Sequence, residues 1–431
     1  MIKRLIRQTY YSQFIRSVAV LTSGSILAQA IPVLTMPIFT RMFDAHIFGM
    51  LALLQVGGGL ITILATGYYE LAIPTVRQQQ RAGGVASIAI AMATGISLLS
   101  LLLALLFRED ILILLNAPEM RPWVYYCPLV IFNLSMMSIA NYWLLRANRL
   151  VSQVIVQIFY TVGSALITLA LGMLHMADGP LIGYLIGLTL GAGWGILQIW
   201  RSGFRFAWPA SPRYISLMIR KYGHFPLYGS IPTAIQQIAA QVPLFIVARH
   251  YSLSAAGHYS VARNLLIAGV HLLTSCIGQV ILKHLATLRQ QEQRIWPYFL
   301  RITYWMAALS LLATAGVVLL GPWFFRLYLG SSWEEAAIIT RLLGFNIFFW
   351  LMGMTLSTAA VSIHRIRPLA AWRLFYGFVA AGMFFFAALP FMQFIWYSVL
   401  LESAAYALYT VVIIATIYHA DRSPIRHSTG I

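Results

Sequence analysis

Twelve apolar stretches, each near or above about 18 residues, follow one another from residue 18 to residue 418. A run of that length crosses a bilayer as a helix, and so many in series leave no segment for a soluble catalytic domain. Composition agrees. Of 431 residues, 60% are hydrophobic and 9% charged, and the mean hydropathy is +0.79. A soluble protein would carry about a quarter charged residues. This chain cannot cover a surface with polar groups, so its solvent is lipid. The expected helices are 18–39, 46–67, 84–107, 123–145, 151–174, 179–200, 224–248, 256–281, 297–320, 337–360, 369–390 and 394–418.

The loops sort by charge. One set carries 22 of the 29 basic residues, among them Lys3, Arg4, Arg7, Arg77, Arg146, Arg149, Lys221, Arg301 and Arg373, against Glu70, Glu292 and Asp421. The other carries Arg41, Arg108, Arg121, Arg249, Arg326 and Arg341 against seven acids, including Glu109, Asp178 and Glu334. The sets alternate from loop to loop. The positive-inside rule makes the first set, and both termini, cytoplasmic. The net charge of +18 is thereby explained by loop placement, and nucleic acid is not an expected partner. Trp123, Tyr125, Trp200, Trp208, Trp296, Trp323 and Trp333 fall at expected helix ends, as an interfacial belt should.

A faint echo divides the chain in two. Thr22, Ser25, Gln29, Arg41, Phe43 and Gly49 align without a gap on Ser230, Thr233, Gln237, Arg249, Tyr251 and Gly257, an offset of 208 residues (249 minus 41). Six helices per half give both halves the same orientation. The expected fold is therefore an all-α polytopic membrane protein of about twelve spans. Its two six-helix bundles would be related by a pseudo-twofold axis along the membrane normal. The expected divisions are a cytoplasmic leader 1–17, bundles 18–200 and 224–418, a basic linker 201–223 and a tail 419–431.

Polar side chains inside apolar helices are costly and tend to line a bundle interior or an aqueous cavity. Thr22, Ser25 and Gln29 share one face of the first helix, and Ser230, Thr233, Gln237 and Gln241 share one face of the seventh. They read as two walls of one cavity or as helix–helix hydrogen bonds. The eighth helix carries Ser260, Arg263, Asn264, His271 and Ser275, and Gln55 holds the position of Arg263 in the first half. A buried arginine needs an anion. Two candidates are Glu402, at similar depth on the last helix, and a substrate phosphate, which a guanidinium fork fits well. Glu402 is also a candidate proton or sodium site for coupling to an ion gradient. Glu70, in Gly67-Tyr68-Tyr69-Glu70-Leu71, reads as an interfacial anchor beside tyrosines or as a substrate contact. His271 reads as a hydrogen-bonded core residue. Cys127 and Cys276 read as small core residues, with no disulfide or zinc framework. No metal-ligand spacing, nucleophile elbow or nucleotide motif occurs, so neither catalysis nor a resident cofactor is expected. A proton or sodium ion is the exception that Glu402 raises.

The chain resembles the bacterial Wzx-type oligosaccharide flippases of the MOP superfamily. The resemblance rests on Ala28-Gln29-Ala30-Ile31-Pro32, Pro37-Ile38-Phe39-Thr40-Arg41, Phe48-Gly49 and Ala65-Thr66-Gly67-Tyr68-Tyr69-Glu70-Leu71-Ala72-Ile73. In the second half it rests on Phe225-Pro226-Leu227-Tyr228 and Ala256-Gly257-His258-Tyr259-Ser260-Val261-Ala262-Arg263. It implies a substrate that is a short oligosaccharide on undecaprenyl diphosphate, moved from the inner to the outer leaflet of the bacterial cytoplasmic membrane. The product would serve O-antigen, capsule or exopolysaccharide synthesis. Membrane lipid, a polysaccharide polymerase and chain-length proteins are the implied partners. The implied mechanism is alternating access, with substrate contacts drawn from Arg263, Asn264, Gln29, Gln55, Gln237, Gln241 and Glu70. The first helix departs from the family pattern in having no mid-membrane arginine. Two other readings stay open. A multidrug or cation antiporter of the same superfamily should carry acids deep in the first half. A membrane polysaccharide polymerase should carry a long outer loop.

Overall fold

A computed structural model describes residues 24, 26–76, 78–204, 231–291, 293–362 and 367–422. The leader 1–17, Thr22, Ser25, Arg77, Phe225 to Ser230, Glu292 and most of the linker and tail lie outside the described residues. Among the described residues the regular structure is helical. It comprises α1 (Ile26–Met42), α2 (Ala45–Ala65), α3 (Gln79–Leu106), α4 (Arg108–Leu115), α5 (Cys127–Arg146), α6 (Leu150–Met173) and α7 (Gly179–Arg201). It continues with α8 (Ile231–His250), α9 (Leu253–Gln290), α10 (Trp296–Leu329), α11 (Glu334–Ser362), α12 (Arg367–Gly382) and α13 (Phe391–Arg422).

Eleven of these helices are long and apolar enough to span a membrane, and the shorter apolar α1 takes the place of the first expected span. The chain is a multi-pass membrane protein. Apolar length set the helix centres, because backbone groups in hydrocarbon must be satisfied within the helix. The ends differ from expectation where the helix continues past the expected run, into polar sequence in one case and through an aromatic stretch in the other. The helix expected at 256–281 runs from Leu253 to Gln290, and that expected at 297–320 from Trp296 to Leu329. The expected outer loop 108–122 contains α4, which stops where Asn116 takes a left-handed conformation (φ 51°).

The chain forms two compact units, Met1–Ser260 and Val261–Ile431. In the first unit α5 packs between α2, α3 and α7, and α6 lies along α7. Small residues permit that close pairing: a Cβ on Gly187 would stand 2.7 Å from the Tyr160 carbonyl oxygen. α8 and the first turns of α9 also belong to this unit, against α2. In the second unit α11 is central, packed on α10 and α13, with α12 against α13. Its core is anchored by the fully buried Trp350, Tyr376 and Phe394.

Two side-chain expectations are corrected here. His271 and Cys276 are exposed on α9, because that stretch of helix turns them away from the packed core of the protein. The aromatic belt divides as well: Trp200 and Trp323 are 70% and 69% exposed, whereas Trp123 and Trp333 are buried.

Candidate functional site

The second unit places Arg263 against Glu402. Arg263 lies ten residues into α9 and Glu402 eleven residues into α13, about 15 and 17 Å along their helices. Their side chains are 8% and 3% exposed. Arg263 Nη2 donates to Glu402 Oε1 across 3.4 Å, and its guanidinium sits 5.7 Å from the centre of the Trp350 ring. Of the two partners expected for Arg263, Glu402 is the one in contact, which joins α9 to α13.

The carboxylate has two further, tighter partners that sequence reasoning missed. Tyr376 on α12 donates its hydroxyl to Oε1 at 3.0 Å, and Asn346 on α11 donates Nδ2 to Oε2 at 3.0 Å. Ser403 in turn donates to Asn346 Oδ1 at 2.6 Å. A stacked aromatic column holds Tyr376 in place. Trp372 stacks on Tyr376 at 5.3 Å and on Tyr409 at 4.0 Å, and its Nε1 donates to the Ala405 carbonyl at 2.8 Å. Four helices thus meet at one carboxylate.

The distances rank these interactions. A charge-assisted N–H···O bond is ordinarily about 2.7–2.9 Å. At 3.4 Å the Arg263 contact is stretched, while the neutral donors hold Glu402 closely. Arg263 is the partner that can leave with least rearrangement of the carboxylate. A buried guanidinium that leaves one anion requires another, because the desolvated charge is costly alone. Chemically, the site can exchange Glu402 for an incoming anion.

The first unit holds a second buried carboxylate. The sequence reading put Glu70 at an interface, but the structure buries it to 6% exposure. After α2 the chain passes through Gly67 (φ 55°) and Tyr68 (φ 59°), both left-handed. It then folds into a 3-10 turn, Tyr69–Thr75, packed on α3 and α5. Thr66 and Ser138 donate hydroxyl hydrogens to Glu70 Oε1 at 2.9 and 3.2 Å. Burial raises its pKa above the ordinary value, only partly opposed by hydrogen bonds that include those two hydroxyls.

Asn264 is exposed although its neighbour is buried. Gln29 on α1, Gln55 on α2 and Gln241 on α8 are half-buried, and Gln237 is exposed; all four belong to the first unit. The three-and-four spacing that signalled Gln237 and Gln241 correctly marked a shared helix. It did not distinguish a cavity face from an exposed one. Asn346 carried a weak signal as a lone amide within an apolar run. Tyr376 carried none.

Residues 38–338 match the family model described as "Polysaccharide biosynthesis protein". The chain belongs to this family. A search of curated protein sequences returns no match. Among solved structures, the fold is similar to "Lipid II flippase MurJ, inward closed conformation". The TM-score is 0.70 and the identity 13%, over 94% of this chain and 88% of that chain. It is also similar to the inward-facing conformation of a multidrug resistance MATE family transporter of the MOP superfamily. There the TM-score is 0.64 and the identity 13%, over 96% of both chains. The outward-facing conformation of a MATE family transporter gives a TM-score of 0.54 at 12% identity, over 94% and 96%. The fold is shared with these transporter structures.

Proposed function

We propose that this protein moves an undecaprenyl-diphosphate-linked oligosaccharide from the inner to the outer leaflet of the bacterial cytoplasmic membrane. The observation that carries the reading is the family match across residues 38–338, reaching from α1 into α11 of a MOP fold. A member of a polysaccharide biosynthesis family with the fold of a lipid-linked-substrate flippase is suited to carriage of a glycolipid intermediate.

Such a substrate has a diphosphate and sugars that cannot enter hydrocarbon, and a tail that need not leave it. Arg263 is the residue suited to the diphosphate. The anion takes the guanidinium over from Glu402, while Asn346 and Tyr376 keep the released carboxylate hydrogen-bonded. Alternating access then exposes the head group to the other side, with no bond made or broken. The charge pattern of the loops orients the protein with both termini cytoplasmic.

A multidrug exporter is the second reading. That function calls for an acid deep in the first half; Glu70 is buried, but in the turn between α2 and α3. Mass spectrometry of lipid-linked intermediates in a deletion strain separates the two. Trapped complete repeat units with loss of surface polymer support the flippase. Unchanged intermediates support the exporter.

A further inference from the structure

Between α5 and α7 the surface of the first unit opens into an apolar groove of about 480 Å³. Trp123 and Tyr126 stand at one end, and Leu129, Ile182, Ile186 and Leu190 form the walls. Thr189 adds a hydroxyl, but that hydroxyl donates to the Leu185 carbonyl at 2.8 Å and accepts from Asn133 at 2.9 Å. Its hydrogen-bonding capacity is spent within the protein, so the walls suit hydrocarbon. We propose that the groove binds one acyl chain of a glycerophospholipid with a zwitterionic, primary-ammonium head group, of the phosphatidylethanolamine kind, whose head sits on Arg121 and Glu109.

Length and shape fit a chain. Ile182 and Leu190 lie eight residues apart on α7 (190 minus 182), about 12 Å at 1.5 Å per residue. One leaflet is half of a hydrocarbon core of about 30 Å, so the groove runs through most of a leaflet. Leu129, Ile186 and Leu190 are exposed, which leaves the groove open along its side to entry from lipid. The Trp123 and Tyr126 rings, 5.6 Å apart, mark the interfacial end, where aromatic residues sit between hydrocarbon and head groups. On the loop-charge reading this is the outer leaflet.

The same end carries charge of both signs. Arg108 Nε and Nη2 and Arg121 Nη2 all donate to one oxygen, Glu109 Oε1, at 2.9, 2.7 and 2.6 Å. Among the described residues Glu109 Oε2 has no donor, and Arg121 makes no other hydrogen bond. Arg108 Nη1 donates to the Tyr125 hydroxyl at 2.8 Å, which ties the cluster to the Val124–Tyr126 turn at the mouth of the groove. Arg121 precedes Trp123 by two residues. A phosphate can take the remaining edge of the Arg121 fork, and an ammonium can donate to Glu109 Oε2. Asp110 is exposed beside Glu109, and Glu119 stands 3.8 Å from His46. These further acids disfavour a head group that is only anionic. Exposed ion pairs contribute little by themselves, so the head group shares this one at little cost. The inference stands on the first unit alone and holds whichever cargo the protein carries.

The test is native mass spectrometry of the full-length protein in detergent, titrated with phosphatidylethanolamine, phosphatidylcholine and phosphatidylglycerol of the same acyl chains. The expected result is a phosphatidylethanolamine adduct retained several-fold more than the phosphatidylcholine adduct, whose quaternary ammonium has no hydrogen to donate. Arg121→Gln and Glu109→Gln, both at exposed positions, should each erase that preference. Ile186→Trp, which fills the groove from its exposed side, should lower retention of all three lipids. Equal retention of phosphatidylethanolamine and phosphatidylcholine by the native protein overturns the proposal, as does a preference that survives both head-group variants. Undiminished retention in Ile186→Trp overturns the groove as the chain site. A preference for phosphatidylglycerol overturns the zwitterion and makes the ligand an anionic lipid.

Discussion

Gly49 and Gly257, which occupy equivalent positions in the two halves of the sequence, meet each other where α2 crosses α9. A Cβ on Gly49 would fall 1.9 Å from the Leu253 carbonyl oxygen, and one on Gly257 would fall 1.8 Å from that of Ala45. Ala45 and Leu253 are themselves related by the offset of 208 residues (253 minus 45). The contact is therefore reciprocal, each backbone approaching the other through the same pair of positions. The weak sequence echo is reproduced as a local twofold relation in space.

Reciprocity makes the first prediction. Gly49→Ala and Gly257→Ala should each force the two backbones apart and lower stability by about 1–3 kcal/mol, the usual cost of overpacking. The two losses should be similar, and the double variant should lose less than their sum, since one displacement relieves both clashes. Thermal unfolding of the purified protein in detergent checks this. Strictly additive losses would show that the two glycines do not share a contact.

The second prediction concerns Arg263 and Glu402. Arg263→Gln or Glu402→Gln alone leaves one buried charge without its partner and should cost about 3–5 kcal/mol. An apolar pair, Arg263→Met with Glu402→Leu, should recover much of that stability. It should not recover transport, because the anion contact is gone. Melting temperature and export, measured on the same variants, distinguish the two roles. Full export by the apolar pair would remove Arg263 from the binding site.

The spans could be read from the sequence because apolar length alone determines them. Their centres hold from α2 to α13 apart from the short α4, which fell in an expected loop. Glu70 could not be placed in the same way. The second apolar run was expected to end at residue 67, so the carboxylate looked interfacial. Its burial comes from a tertiary event, the left-handed elbow at Gly67 and Tyr68 that returns the chain onto α3 and α5. Arg263 and Glu402 were paired by depth, which helix rise makes calculable. Asn346 and Tyr376 came from two other helices, and no local spacing connects them to Glu402. His271 failed for a related reason. Its helical stripe was real, but a stripe does not reveal which neighbour, if any, it faces.

A third prediction follows from the raised pKa of Glu70. The folded protein holds this proton more tightly than the unfolded chain does. The associated stability is complete below the unfolded value, about pH 4.3, and is lost as pH rises through the folded value. Glu70→Gln should abolish this component, so its melting temperature should fall less than that of the native protein over the same range. Melting curves of the native protein and of Glu70→Gln at a series of pH values provide the check.

The most direct measurement is sidedness in a vesicle. The full-length protein is reconstituted with a lipid-linked oligosaccharide placed in one leaflet, and exposure of the sugar is followed with an impermeant glycosidase. The native protein should bring the sugar to the opposite face, while Arg263→Gln, inserted to the same level, should not. Sugar that stays on its original face with the native protein would overturn the proposed flippase function.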